Sequence, residues 1–125
     1  MPHVGERGAV LLDARAAARF EHGDPTIDPR PGHIPGARNA PWTHNVDPAT
    51  GRFLPADQLA ARYGSLGAGP GTSVAAYCGS GVTACHDLLA LTLAGISDTA
   101  LYTGSWSQWG ADQTRPAEEG PSPNR

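Results

Sequence analysis

The sequence predicts a single α/β domain with a mostly parallel central sheet flanked by helices. Three observations lead there. Short apolar runs alternate with helical segments along the 125 residues. The run Val74-Ala75-Ala76-Tyr77 is bounded by Gly and Pro on one side and by Gly79 on the other, the pattern of a strand buried on both faces. After it, Val82, Cys85, Leu88, Leu89 and Leu93 recur at helical spacing. Right-handed crossovers then join neighbouring strands. A chain of this length buries roughly two-thirds of its unfolded surface, enough for one core.

Each element has its own local reason. Residues 1–8 are polar and read as a disordered lead, and the domain is expected over 9–111. Ala9-Val10-Leu11-Leu12 reads as a first buried strand ending in Asp13, which is placed to cap a short helix Ala14–Phe20 rich in alanine. Glu21 to Pro41 is dense in Pro and Gly and predicts a long ordered loop around a short strand near Ala37–Asn39. Loops of that length in compact domains often carry function. Trp42 to Pro55 reads as irregular, and Pro55 then opens a helix through Leu59 and Tyr63 to Gly64. Ala68-Gly69-Pro70-Gly71 turns into the central strand. Gly95 stands where a left-handed C-terminal cap belongs. Thr99-Ala100-Leu101-Tyr102 predicts a last strand, and from Asp112 the chain is polar and proline-rich, a flexible tail over 112–125.

Composition excludes several classes. The formal charge of −3 and pI near 5.9 give no reason to expect nucleic acid as partner. All nine basic side chains are Arg, which points to a compositional bias of the genome. No run approaches transmembrane length, and the first residues lack the apolar core of a signal peptide, so no membrane role is expected and the cytoplasm is the expected compartment. Two cysteines make no disulfide framework and no C-x-x-C spacing. Cys78, Cys85 and His86 lack workable metal spacing, and no cofactor is expected.

The chemistry concentrates at Cys78, at the carboxyl end of the central strand and the mouth of a helix, the crevice where open α/β sheets bind ligands. A thiolate there feels the positive end of the helix dipole and unpaired backbone N–H groups, which lower its pKa from roughly 8.5. Gly79 and Gly81 let the loop curl until its amides converge, and Ser80 and Thr83 add hydroxyls without charge. Such a cradle suits Cys–S⁻ and Cys–S–S⁻. Cys85 lies with Leu88, Leu89 and Leu93 and is expected in the core. His33, in Gly32-His33-Ile34-Pro35-Gly36, is expected to make a structural hydrogen bond. Trp106 and Trp109 are expected to pack around the crevice.

Leu11-Leu12-Asp13-Ala14-Arg15, Gly32-His33-Ile34-Pro35-Gly36-Ala37, the run Cys78 to His86 and the run Leu101 to Trp109 occur in the order seen in rhodanese domains. The chain resembles more narrowly the C-terminal, catalytic half of the tandem sulfurtransferases. That resemblance implies a persulfide-forming Cys78 within the active-site loop Gly79, Ser80, Gly81, Val82 and Thr83. Thiosulfate-preferring members carry an Arg-Lys pair after the cysteine. The uncharged Gly79-Ser80 is similar to the 3-mercaptopyruvate group, where the serine at the place of Ser80 belongs to a proton relay. By the same resemblance, Arg19 and Arg30 would bind the donor. Tandem members also have a first domain that covers one face of the second, so a partner chain or a second copy is expected to cover that face here.

Three functions follow as expectations. The first is a sulfurtransferase moving sulfur from 3-mercaptopyruvate or thiosulfate to cyanide or a thiol through a Cys78 persulfide. The second, a phosphatase or arsenate reductase, needs an Arg six residues after the cysteine, where this chain has Ala84. The third is a truncated, catalytically weak module acting as a sulfur carrier or binding domain.

Overall fold

The computed structural model describes residues 9–79 and 83–121. The expectations for the lead 1–8, for Ser80, Gly81 and Val82, and for 122–125 lie outside the described residues. Four parallel strands form one sheet in the order β2-β1-β3-β4: β1 Ala9–Asp13, β2 Arg38–Asn39, β3 Ser73–Tyr77 and β4 Thr99–Leu101. The two apolar runs of the sequence form the centre, with Leu12 opposite Ala76 and Asp13 opposite Tyr77.

Four helices flank the sheet, α1 Ala17–Glu21, α2 Ala56–Ser65, α3 Ala84–Leu93 and α4 Ser105–Trp109. The pleat of the strands sorts them into two layers, because successive side chains point to opposite faces. Leu12, Val74, Ala76 and Cys78 pack with Leu59 and Tyr63 of α2 and with Ala84, Ala90 and Leu91 of α3. Leu11, Ala75 and Tyr77 face the other way, against Phe20 of α1 and Trp106 of α4. Consecutive residues Tyr77 and Cys78 therefore belong to different layers.

Several local expectations hold. Pro55 caps α2, and Gly95 closes α3 with φ of +89°. Others need correction. Asp13 does not cap α1. The residue ahead of that helix is Ala16, and the Asp13 carboxylate is taken by the amide and guanidinium of Arg15 instead. On α3 the buried residues are Ala84, Asp87, Ala90 and Leu91, while Cys85 is exposed and Leu89 and Leu93 are about half exposed. The helix is rotated from the expected stripe because the small alanines seat closest to the sheet and Asp87 finds buried polar partners.

From Asp112 as far as Pro121 the chain is laid against the domain. Glu118 and His33 exchange both backbone hydrogen bonds, at 2.8 and 2.9 Å. Trp109 Nε1 donates to the Pro116 carbonyl, and the Gly120 amide to the Glu21 carbonyl. A polar segment can dock through its backbone groups, which carry no signature in side-chain pattern.

Candidate active site

Cys78 is the first residue past β3 and is 1% exposed. Its surroundings are built by α4. The Cys78 amide donates to Ser105 Oγ at 3.1 Å, and Ser105 Oγ donates to the Tyr102 carbonyl at 2.9 Å. The Trp106 amide donates to the Cys78 carbonyl at 2.9 Å. The Ser107 amide, at 2.8 Å, and the Ser107 hydroxyl both donate to the Gly79 carbonyl. Three consecutive residues of α4 thus hold three consecutive peptide units, through the Cys78 amide and the Cys78 and Gly79 carbonyls. Ser105 is buried and has φ of +53°, the one non-glycine residue with positive φ among the described residues. Such a backbone is costly and persists only where surrounding contacts enforce it.

Arg19 of α1 reaches the same loop. A Cβ placed on Gly79 would lie 2.7 Å from Arg19 Nη2, so glycine at 79 leaves room for the guanidinium. Asp28 holds that guanidinium through two hydrogen bonds, Nε to Oδ2 at 3.2 Å and Nη2 to Oδ1 at 2.7 Å. Behind Asp28 stands Arg15, whose side chain is fully buried; its Nη1 lies 3.4 Å from Asp28, and its Nη2 donates to Asp13 and to the Gly32 carbonyl. Burial opposes ionisation of Asp28. The Arg19 hydrogen bonds, the Asp24 amide and the two guanidinium charges outweigh it and hold the carboxyl below the usual range.

The other expected residues divide. Arg30 Nη2 donates to the Arg115 carbonyl in the C-terminal segment, and its guanidinium lies 5.7 Å from the Trp106 ring. The structure brings Arg19 to the cysteine loop and gives Arg30 these contacts elsewhere. Thr83 stands immediately before α3 and makes no side-chain cap to it. His33 stacks on Phe20 with ring centroids 3.6 Å apart, and its Nδ1 pairs with the Phe20 carbonyl at 2.7 Å, a structural role. Trp106 is fully buried in the layer of α1 and α4.

On the opposite layer lies a polar cluster that sequence reasoning missed. Asn45 Nδ2 donates to Asp87 Oδ1 at 2.7 Å, Tyr63 donates to Asn45 Oδ1 at 2.7 Å, and His86 Nδ1 lies 3.1 Å from Asn45 Nδ2. Among the described residues Asp87 Oδ2 is buried without a hydrogen-bond partner. Burial pushes the Asp87 carboxyl up to about 7, against the hydrogen bonds from Asn45 and Tyr63 and the attraction of Arg62. Burial also lowers the pKa of His86, whose ring sits between Phe53 and Trp42. Ser105, Asp28 and Asp87 were the residues whose roles the sequence did not disclose. For Ser105 the one available signal was its place in the Gly104-Ser105-Trp106 segment.

A parallel α/β domain carrying a cysteine at the carboxyl edge of a central strand, gripped by a following short helix and faced by an arginine, defines a class of cysteine-centred group-transfer folds. Residues 3–112 match the profile of the family described as "Rhodanese-like domain", and the chain belongs to that family. A protein of Pseudomonas aeruginosa named "Probable 3-mercaptopyruvate sulfurtransferase" is 52% identical over 118 residues, covering 94% of this chain and 41% of its own. The 3-mercaptopyruvate sulfurtransferase of Escherichia coli K12 is 43% identical, with 90% and 40% covered. SseB of Mycobacterium tuberculosis, whose name carries thiosulfate instead, is 42% identical, with 94% and 40% covered. The chain spans about two-fifths of the length of these curated relatives. Among solved structures, an anaerobic ergothioneine biosynthesis enzyme from Chlorobium limicola superposes with a TM-score of 0.83 at 20% identity, covering 94% of this chain and 29% of that one. That likeness concerns the fold.

Proposed function

We propose that the domain is a sulfurtransferase that takes sulfur from 3-mercaptopyruvate or thiosulfate and passes it to cyanide or a thiol through a persulfide on Cys78. The observation that carries this reading is the meeting at one loop of Cys78, the backbone grip of α4 and the Arg19 guanidinium beside Gly79. The names of the relatives supply the donors.

In the first half-reaction the Cys78 thiolate attacks the donor sulfur. An S–S bond forms as the C–S bond of 3-mercaptopyruvate breaks, and the electron pair leaves with carbon as the enolate of pyruvate, which takes up a proton. Arg19 has N–H groups beyond those given to Asp28 and binds the donor carboxylate. Ser80 serves the proton transfer, and Gly79, Gly81, Val82 and Thr83 complete the loop around the charge. Arg30, carried over by the resemblance, would reach the donor only by giving up its contact with the Arg115 carbonyl. In the second half-reaction an acceptor such as cyanide attacks the outer sulfur, thiocyanate leaves, and the Cys78 thiolate returns. The reading places the protein in the cytoplasm, where reducing conditions keep Cys78 and Cys85 as thiols; among the described residues no helix is long and apolar enough to cross a membrane.

The burial of Cys78 favours a second reading, a sulfur-carrier module of slow turnover. One assay separates the two. Thiocyanate production from each donor plus cyanide is expected in the wild type and absent in Cys78→Ser. A protein that gains the mass of one sulfur on Cys78 yet makes no thiocyanate would be the carrier. No product and no mass gain would overturn both.

A further inference from the structure

We infer that Ser105 is a positioning residue for Cys78, with Ser107 as its helper: together they keep the Cys78 and Gly79 carbonyls turned into α4 and away from the reactive sulfur. This deepens the sulfurtransferase reading and rests on Cys78 being the nucleophile.

The argument starts from the dipoles of the peptide group. A thiolate at the end of a strand lies close to the carbonyls of its own residue and the next, and their negative ends oppose its charge. A buried anion feels that opposition strongly, because little water screens it. Here both oxygens are committed. The Trp106 amide takes the Cys78 carbonyl, and the amide and hydroxyl of Ser107 take the Gly79 carbonyl. The peptide before it is fixed as well, because the Cys78 N–H is tied to Ser105 Oγ, so both peptide planes that flank the Cys78 α-carbon are held by α4. Ser105 Oγ is in turn aimed by its bond to the Tyr102 carbonyl, at the end of β4.

The backbone of Ser105 supplies an independent observation. At φ of +53° the least strained residue is glycine, with asparagine next, and serine gains nothing from the conformation. A residue present only to make the turn would be glycine. The fully buried serine instead contributes a hydroxyl at the one point where the Cys78 amide needs an acceptor.

Ser105→Gly tests this, because it relieves the strained φ while deleting the hydroxymethyl side chain that accepts from the Cys78 amide. The measurements are the thermal midpoint, the pH profile of Cys78 alkylation by iodoacetamide read on the Cys78 peptide by mass spectrometry, and kcat and KM for 3-mercaptopyruvate. Reading the peptide keeps the exposed Cys85 out of the signal. The expected result is a folded protein whose alkylation at pH 7 falls about tenfold, with the profile moved about one unit to the alkaline side. A fall in kcat at nearly constant KM should accompany it. A profile that superposes on the wild type would overturn the inference. If Ser105→Gly does not fold, Ser107→Ala decides, since it removes one hydroxyl from an exposed position and leaves the amide in place. A shift in the same direction of about two- to threefold is expected, and no shift overturns the proposal. Should the wild type transfer no sulfur while the alkylation profile still moves in the variants, the enzymatic reading fails and the positioning role stands.

Discussion

The two layers of helices each enclose a buried aspartate, and the two are opposites. Asp28, between α1 and the loop after it, meets two guanidinium groups and a backbone amide, and its carboxyl is held below the usual range. Asp87, on α3, meets the amide of Asn45 and the hydroxyl of Tyr63, with Arg62 acting only through space, and is raised to about 7. Burial penalises both charges, more heavily at the deeper Asp87, and the partners that answer it differ in kind. At Asp28 charged donors and a backbone amide together outweigh desolvation, while at Asp87 the neutral donors Asn45 and Tyr63 fall short of it. The layer that reaches the cysteine loop with Arg19 is thereby kept ionic, and the layer behind α3 is kept close to neutral.

The largest expected effect comes from breaking the ionic side. Asp28→Asn removes the charge facing Arg19 and part of that facing Arg15, which keeps Asp13. Urea unfolding at pH 7 should show a loss of about 3 kcal/mol, below the full value for a buried pair because Arg19 is partly exposed. With its orienting carboxylate gone, Arg19 loses its place beside Gly79, and kcat/KM for 3-mercaptopyruvate should fall ~100-fold.

The neutral side gives a smaller effect with the opposite pH dependence. The raised Asp87 pKa stabilises the folded protein fully below its ordinary 3.8, and that contribution is lost as pH rises through about 7. Asp28 behaves in reverse, stabilising above the ordinary value and failing as pH falls. Asp87→Asn should therefore be less stable than the wild type near pH 4, where the unmatched amide N–H is the difference, and exceed it at pH 8. A shift of three pKa units sets a ceiling of about 4 kcal/mol, and a buried amide N–H without an acceptor at the Oδ2 position takes back part, leaving about 2 kcal/mol. Thermal melts across pH 4–8 check it, and a wild type whose stability does not fall over that interval would contradict the charge state assigned to Asp87.

Gly79→Ala sharpens the comparison without touching either aspartate. The new methyl would crowd Arg19 Nη2 at 2.7 Å while Asp28 still holds the guanidinium from behind. The guanidinium must move aside, which costs little stability because it is the far end of a flexible side chain. KM for a carboxylate donor should rise several-fold with the melting temperature nearly unchanged.

How much of this was legible in the sequence follows the same division. The order of strands and helices and the place of Cys78 at a strand end could be read from apolar runs and glycines, because burial of Leu12 and Ala76 is a pattern property. The seating of α3 could not, since a buried Asp87 looks like surface in any hydrophobic pattern and the half-exposed Leu89 and Leu93 look like core. Arg19 was named only through a resemblance, and its place beside Gly79 depends on a space that no local sequence rule encodes. The Ser105 conformation was equally hidden, because tertiary contacts enforce it.

The short pairing of Glu118 with His33 has a practical outcome for anyone trimming the protein. Gly36 N–H also donates to Glu118 Oε1, so three backbone groups of the Gly32–Gly36 turn rest on one residue near the far end of the chain. A version cut back to Asp112 would strip those groups of their partners and unroof the stacked His33–Phe20 rings next to α1, the helix that carries Arg19. Removing those 13 residues, 113–125, would in that way loosen the helix that holds Arg19 beside Gly79.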